Sequence, residues 1–215
     1  MKSFDRAFLT GADSKQEWML PWFFENYKKY NKLPVIVADF GMSPEGLAIA
    51  KRHAKEIIDL KAEREKGWFL KPKSMWKSPA KNTVWIDLDC EVRGDISDIF
   101  KQLEPNKLAM VKDHPWCERR GQLWHNSGVV GFIGKPPILG AWMDQVARSR
   151  AVGDQEVLHG MLNPITKITY IKDLPHKYNV LRIDMTIDNR IPKDPLVVHW
   201  TGSKGKDEIR RQMNA

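Results

Sequence analysis

The chain has 215 residues, 42% of them hydrophobic and 29% charged, with a formal net charge of +8 at neutral pH. That length and balance suit one domain with a full core and exclude a disordered or fibrous protein. No run of about 18 apolar residues occurs, so no transmembrane segment is expected, and the charge favours an anionic partner without naming it.

The opening stretch "MKSFDRAFLTGADS" meets an acid at Asp5 and has no apolar core, so it does not read as a secretory signal. "RAFLTG" (Arg6–Gly11) reads as a short strand ending in a turn, and Gln16–Tyr30 as an aromatic-rich amphipathic helix. "LPVIVADF" is a second apolar strand, with helical sequence from Pro44 to about Glu65. Pro72 suits the first turn of a third helix. "VWIDLDCEV" from Val84 is the next strand, followed by "LAMVKD" (Leu108–Asp113) and the glycine-punctuated "HNSGVVGFIG" (His125–Gly134). Pro137–Arg148 and Asp154–Leu162 read as helices, "ITKITYI" as a strand, and "DPLVVHW" as the last strand. The polar segment beyond Gly202 reads as a loop and a frayed end. The early alternation of strand and helix predicts an α/β fold with a mainly parallel sheet, over a single domain spanning 1–215. Cys90 and Cys117 are too few for a disulfide framework, so a cytoplasmic location is the expectation.

Asp87 and Asp89 stand one residue apart at the end of an apolar strand. On a strand such positions share a face, and two like charges held together repel unless a cation lies between them. Oxygen ligands suit hard ions such as magnesium and manganese. The plain reading is two solvated acids at a strand end. His199 closes a second apolar strand and precedes the glycines and lysines of "TGSKGK", a composition suited to phosphate. With His199 the set becomes mixed oxygen and nitrogen, which favours Mn2+ and admits Mg2+. Asn126 can bond to sugar hydroxyls, although "HNSG" also reads as a simple bend. Asp154 after Gly153 reads as a helix cap or, with Gln155, as a group facing a substrate.

Taken in order, "FLTGAD", "WIDLDCEV", "HNSGVVGF", "GDQEVL" and "VVHWTG" resemble the blocks of glycosyltransferase family 8, the glycogenin-like and lipopolysaccharide galactosyl- and glucosyltransferases. The resemblance implies a GT-A (Rossmann-like) nucleotide-diphospho-sugar transferase fold, a UDP-hexose donor, a glycan or other hydroxyl acceptor, and transfer with retention. It implies that Asp87, Asp89 and His199 hold the metal, and that Thr10, Gly11 and Asp13 hold the nucleoside. Lys71 falls where the family sets a basic residue over the donor, and Asn126 and Gly128 fall beside ribose or sugar. Asp154 and Gln155 would lie near the reacting carbon. The family's last block reads histidine–x–x–glycine–x–x–lysine–proline–tryptophan. Here Gly202 matches the glycine, but Gly205 stands at the lysine position, between Lys204 and Lys206, either of which can reach a phosphate. Trp116, Arg119, Arg120 and Trp124 are candidates for the acceptor side without an assigned role.

Two other classes compete. "IDLDCEV" also has the form of a haloacid-dehalogenase phosphatase signature, but that motif normally follows a chain's first strand. A nucleotide-sugar or polyanion binding module without catalysis would account for the altered lysine segment. Nine tryptophans and the lysines between Lys71 and Lys81 suggest nucleic acid. The tryptophans are scattered, however, and the charges are of mixed sign, so no nucleic-acid partner is expected. A homo-oligomer is possible on sequence grounds.

Overall fold

Neighbouring residues of the inner strands face opposite ways and are buried on both sides. Phe8, Val37 and Val84 enter one core while Leu9, Ile36 and Trp85 enter another. Two apolar layers on one sheet explain why these strands read as continuous hydrophobic runs. Each large side chain so buried contributes about 1.5–3 kcal/mol.

The computed structural model describes residues 3–63, 67–186 and 190–214. In chain order the elements are β1 (Phe4–Ala12), α1 (Leu20–Tyr30), β2 (Val35–Asp39), α2 (Pro44–His53), β3 (Glu56–Asp59), α3 (Lys71–Trp76), β4 (Ala80–Ile86), β5 (Cys90–Val92) and β6 (Leu108–Lys112). They continue with α4 (His114–Arg120), β7 (His125–Ile133), α5 (Pro137–Val146), α6 (Asp154–Met161), α7 (Pro164–Tyr170), β8 (Ile171–Asp173), β9 (Val180–Leu181), α8 (Arg182–Thr186), β10 (Val197–His199) and α9 (Gly202–Met213). The main sheet has the order β3-β2-β1-β4-β7-β6-β8, in which β7 alone runs against its neighbours. A small second sheet, β5-β10-β9, brings His199 level with Cys90. Among the described residues no helix is long and apolar enough to cross a membrane.

Three expectations need correction. The helix from Pro44 stops at His53, because Ala54 turns extended and the chain enters β3; Glu65 lies outside the described residues. "ITKITYI" is mostly helix: Pro164 opens α7 and Asn163 and Thr166 form a reciprocal capping box, so only Ile171 reaches a strand. The tail after Gly202 is the helix α9, seated by buried Gly205 and Ile209 and laced outside by Arg210–Asp207 and Arg211–Glu208 pairs. The residues after Asp113 form α4, which Asp113 caps through Trp116 N at 3.1 Å.

Candidate functional site

Open parallel sheets gather ligands outside the carboxyl ends of their strands. There a cleft of about 470 Å³ is lined by the ends of β1 and β4, the start of the antiparallel β7, residues of α3, α4 and α6, and the β10–α9 junction.

The two acids do not share a direction through strand alternation, as the sequence suggested. β4 ends at Ile86, and Asp87 to Cys90 form a turn closed by Cys90 N donating to Asp87 O at 3.0 Å. Asp87 N is anchored on Gly128 O at 2.8 Å. The turn, rather than the pleat, carries both carboxylates into the cleft.

His199 reaches the same place from β10. Its Nε2 lies 3.2 Å from Asp89 Oδ1 and 3.8 Å from Asp87 Oδ2. Its Nδ1 lies 3.2 Å from Asn126 Oδ1 and 3.1 Å from Asn179 Oδ1. The orientation of those amides follows from an anchor that can only accept. Asp113 Oδ2 accepts from Asn126 Nδ2 at 3.1 Å and from Gln155 Nε2 at 3.0 Å. Asn126 Oδ1 therefore faces the other way and accepts from Asn179 Nδ2 at 2.8 Å and Gly128 N at 2.9 Å. Two carbonyl oxygens then face His199 Nδ1, so Nδ1 carries a proton, and Nε2, turned towards the acids, is the nitrogen left to bind a metal ion. A metal-binding histidine is held in this way by the bond of its other nitrogen. The residues fit a divalent ion with Asp87, Asp89 and His199 as ligands. Asp89, Cys90 and His199 also place ligand atoms within 4.8 Å of one another. Burial, with Asp89 and Asp87 beside it, keeps the Cys90 thiol protonated, which makes Asp87 the better third ligand.

Cations balance the acids. Lys71, fully buried at the start of α3, lies 3.1 Å from Asp87 and 3.2 Å from Asp154, and donates to Ser127 O at 3.1 Å. Burial alone would lower its pKa; Asp154 and Asp87 outweigh that and raise it, so the ammonium stays charged. Lys206 of α9 contacts Asp89. Burial works to raise the Asp89 carboxyl, but His199 and Lys206 prevail and hold it below the usual range. Asp154, the first residue of α6, is pushed up by burial against the pull of Lys71. Its buried Oδ2 lies 3.2 Å from Lys71 Nζ.

Gly11, Asp13, Lys71, Asp87, Asp89, Asn126, Asp154, Gln155, His199 and Lys206 all line the cleft. Thr10 does not: it is fully buried within β1, next to the cleft-lining Gly11. Gly128 is buried behind Asn126, where a Cβ would run into the His199 ring. Its part is to leave room for that ring. Gly202 and Lys204 are exposed on α9 and do not line the cleft, so of the two lysines beside Gly205 it is Lys206 that enters. Gly205 itself is pressed on Trp200, with no space for any side chain. Gln155 is fully engaged, since its Oε1 also accepts from Asn126 Nδ2 and Ser127 N, both at 3.1 Å.

Sequence reasoning missed Asp113 and Asn179. Asp113 is almost wholly buried and lines the cleft, and its position before "HPWC" carried a capping signal. Asn179, in "HKYNV", is completely buried and had no local signal.

No family sequence model and no curated protein sequence matches the chain. Solved structures do. The galactosyltransferase LgtC, in complex with donor and acceptor sugar analogues, superposes with a TM-score of 0.69 at 14% identity, over 97% of this chain and 94% of that one. The fold is that of the GT-A glycosyltransferases. Apo GlyE of Streptococcus pneumoniae TIGR4 matches with a TM-score of 0.68 at 17% identity, over 93% of this chain and 55% of that one. Mouse xyloside xylosyltransferase 1 matches at 0.58 and 12% identity, over 94% and 98%. The GT-A frame places the turn carrying Asp87 and Asp89 at the centre of the sheet, between the β1 and β7 ends.

Proposed function

We propose that this protein is a metal-dependent retaining glycosyltransferase that moves a hexose from a UDP-linked donor to a hydroxyl of a glycan acceptor. One observation carries the reading: Asp87, Asp89 and the Nε2 face of His199 converge in a cleft at the strand ends, with the His199 proton already committed to Nδ1. A Mn2+ or Mg2+ ion held there would take the donor's diphosphate and act on the leaving group as a Lewis acid.

The chain's own residues supply the rest. Lys71 and Lys206 present fixed positive charge where a departing diphosphate gathers negative charge. Gly11, Asp13, Phe40 and Trp68 form the end of the cleft suited to the nucleoside. The buried Asp154 carboxylate is the group placed to support a cationic anomeric carbon or to attack it. Gln155 holds Asp113, Asn126 and Ser127 together instead.

The test is a calorimetric titration of nucleotides and UDP-sugars with and without Mn2+. Mn2+-dependent UDP binding, tightened by one sugar, is the expected result. Asp89→Asn should lose it and abolish transfer while remaining folded; unchanged turnover in that variant would remove the metal assignment. Binding without turnover or donor hydrolysis would favour a binding module, and hydrolysis of simple phosphate esters a phosphatase.

A further inference from the structure

The sheet order separates the cleft into two ends. β1 and β2 bring Gly11, Ala12, Asp13 and Phe40 to one, while β6, β7 and α4 bring Asp113, Pro115, Trp116 and Arg119 to the other. Asp87, just past the intervening strand β4, stands between them.

The cations lining this cleft differ in one respect. Lys71 is paired with Asp87 and Asp154, and Lys206 with Asp89. Arg119 lines the cleft with an exposed side chain, and no hydrogen bond or ion pair engages it among the described residues. A cation in the last turn of a helix is favourable in itself. Arg120 illustrates that plain use: it lies over the Trp116 ring at 4.8 Å and does not line the cleft.

The wall that presents Arg119 is braced. Asp113 caps the start of α4, and Glu118 bonds Arg190. Trp116 stacks on Trp124 at 5.2 Å, and Trp124 on His159 at 3.4 Å. A guanidinium held on a rigid wall loses little freedom on binding, and its planar fork matches phosphate and carboxylate oxygens two at a time.

Resting on the glycosyltransferase reading, we infer that the acceptor glycan carries an anionic group, a phosphate or a carboxylate, and that Arg119 receives it. The donor diphosphate has Lys71 and Lys206 at the centre of the cleft; Arg119 stands at the end left to the acceptor.

The experiment is a glycan array bearing neutral, phosphorylated and uronic-acid glycans, probed at physiological salt with labelled protein saturated with UDP and Mn2+. Wild-type protein should concentrate on anionic glycans, and whether the phosphorylated or the uronic-acid spots respond names the group. Arg119→Gln should lower that binding about tenfold or more, with UDP affinity unchanged. Arg119→Lys should retain part of it. Arg120→Gln, the same loss of charge one residue along, should leave it intact. The inference is overturned by a preference for neutral glycans, by equal losses in both glutamine variants, or by weakened UDP binding in Arg119→Gln. UDP titration of the wild-type protein separates the failures. Absent UDP binding would sink the glycosyltransferase reading and this inference together, whereas intact UDP binding without an anionic preference would sink this inference alone.

Discussion

Replacing Gly205 by alanine should destabilise the protein, although position 205 lies inside a helix. Helix propensity alone predicts the opposite, a gain of about 1 kcal/mol. The packing decides the sign. A Cβ at Gly205 would sit 3.0 Å from Trp200 Cα and still closer to its carbonyl carbon and oxygen. Those are backbone atoms at the β10–α9 junction, so no rotamer change relieves the clash. α9 must retreat from β10 by on the order of 1 Å to restore ordinary contact. Overpacking of this kind costs about 1–3 kcal/mol, and loosening the buried Ile209 adds to it. With the propensity gain deducted, the net loss of about 1–2 kcal/mol should lower Tm by roughly 2–8 °C for a domain of this size. The shift also draws Lys206 away from Asp89, so Mn2+-dependent UDP affinity should fall with stability. Thermal unfolding and UDP titration of Gly205→Ala check both parts. An unchanged or raised Tm would refute the packing argument, and a lowered Tm with full UDP affinity would refute the link to Lys206.

Lys71→Met leaves the buried Asp154 and the half-buried Asp87 without their shared cation and should cost about 3 kcal/mol in urea unfolding. Adding Asp154→Asn should restore part of that loss, because one of the stranded charges is gone; a purely additive double variant would deny the coupling. Asn179→Leu removes a carbonyl that orients His199 and should weaken Mn2+ binding about 10–100-fold, read by electron paramagnetic resonance of Mn2+ with UDP present. Stability should also fall as pH drops from about 6.5 to about 4, through His159. Burial, then Lys167 and His125, lower its pKa from the ordinary 6.5 to about 4. In that window the unfolded chain binds more protons, so the contribution is full above 6.5 and lost below. The structural cause is Lys167 Nζ, 2.8 Å from His159 Nδ1, which donates into the lone pair a proton would take. His159→Gln should flatten the pH dependence of the urea midpoint, and an equally steep profile would rule His159 out.

The sheet was readable because its strands are buried on both faces and so appear as apolar runs. "AFL" in β1, "VIVA" in β2 and "VWI" in β4 need no knowledge of their partners. The β-branched run Ile165, Thr166, Ile168 and Thr169 favours a strand by composition, whereas Asn163-Pro164 holds the stronger helix signal. The apolar faces of Ile165 and Ile168 point outward, and Lys167 is the residue turned in, so polarity misled as well. α9 was missed because its mean polarity is high and its inner face rests on one glycine and one isoleucine. The turn at Asp87–Cys90 was hidden for another reason: its geometry is set by Gly128 on β7, far along the chain.

The candidate site divides along the same line. Asp87 and Asp89 announced themselves, because two acids beside an apolar run are costly without a purpose. The groups that aim them did not, because a buried asparagine looks like any other until its partners are known. Asp113 can only accept, which turns the Asn126 and Gln155 amides; Asn126 turns Asn179, and both leave the His199 proton on Nδ1. Each link is an ordinary hydrogen bond, and any one amide flipped would place two like groups face to face. The chain of orientations therefore transmits a choice made at the cap of α4 to the nitrogen that faces Asp87 and Asp89. Asp113→Asn would remove the acceptor-only anchor while keeping the shape of the side chain. It should then weaken Mn2+ binding without large loss of stability, a combination that packing alone does not produce.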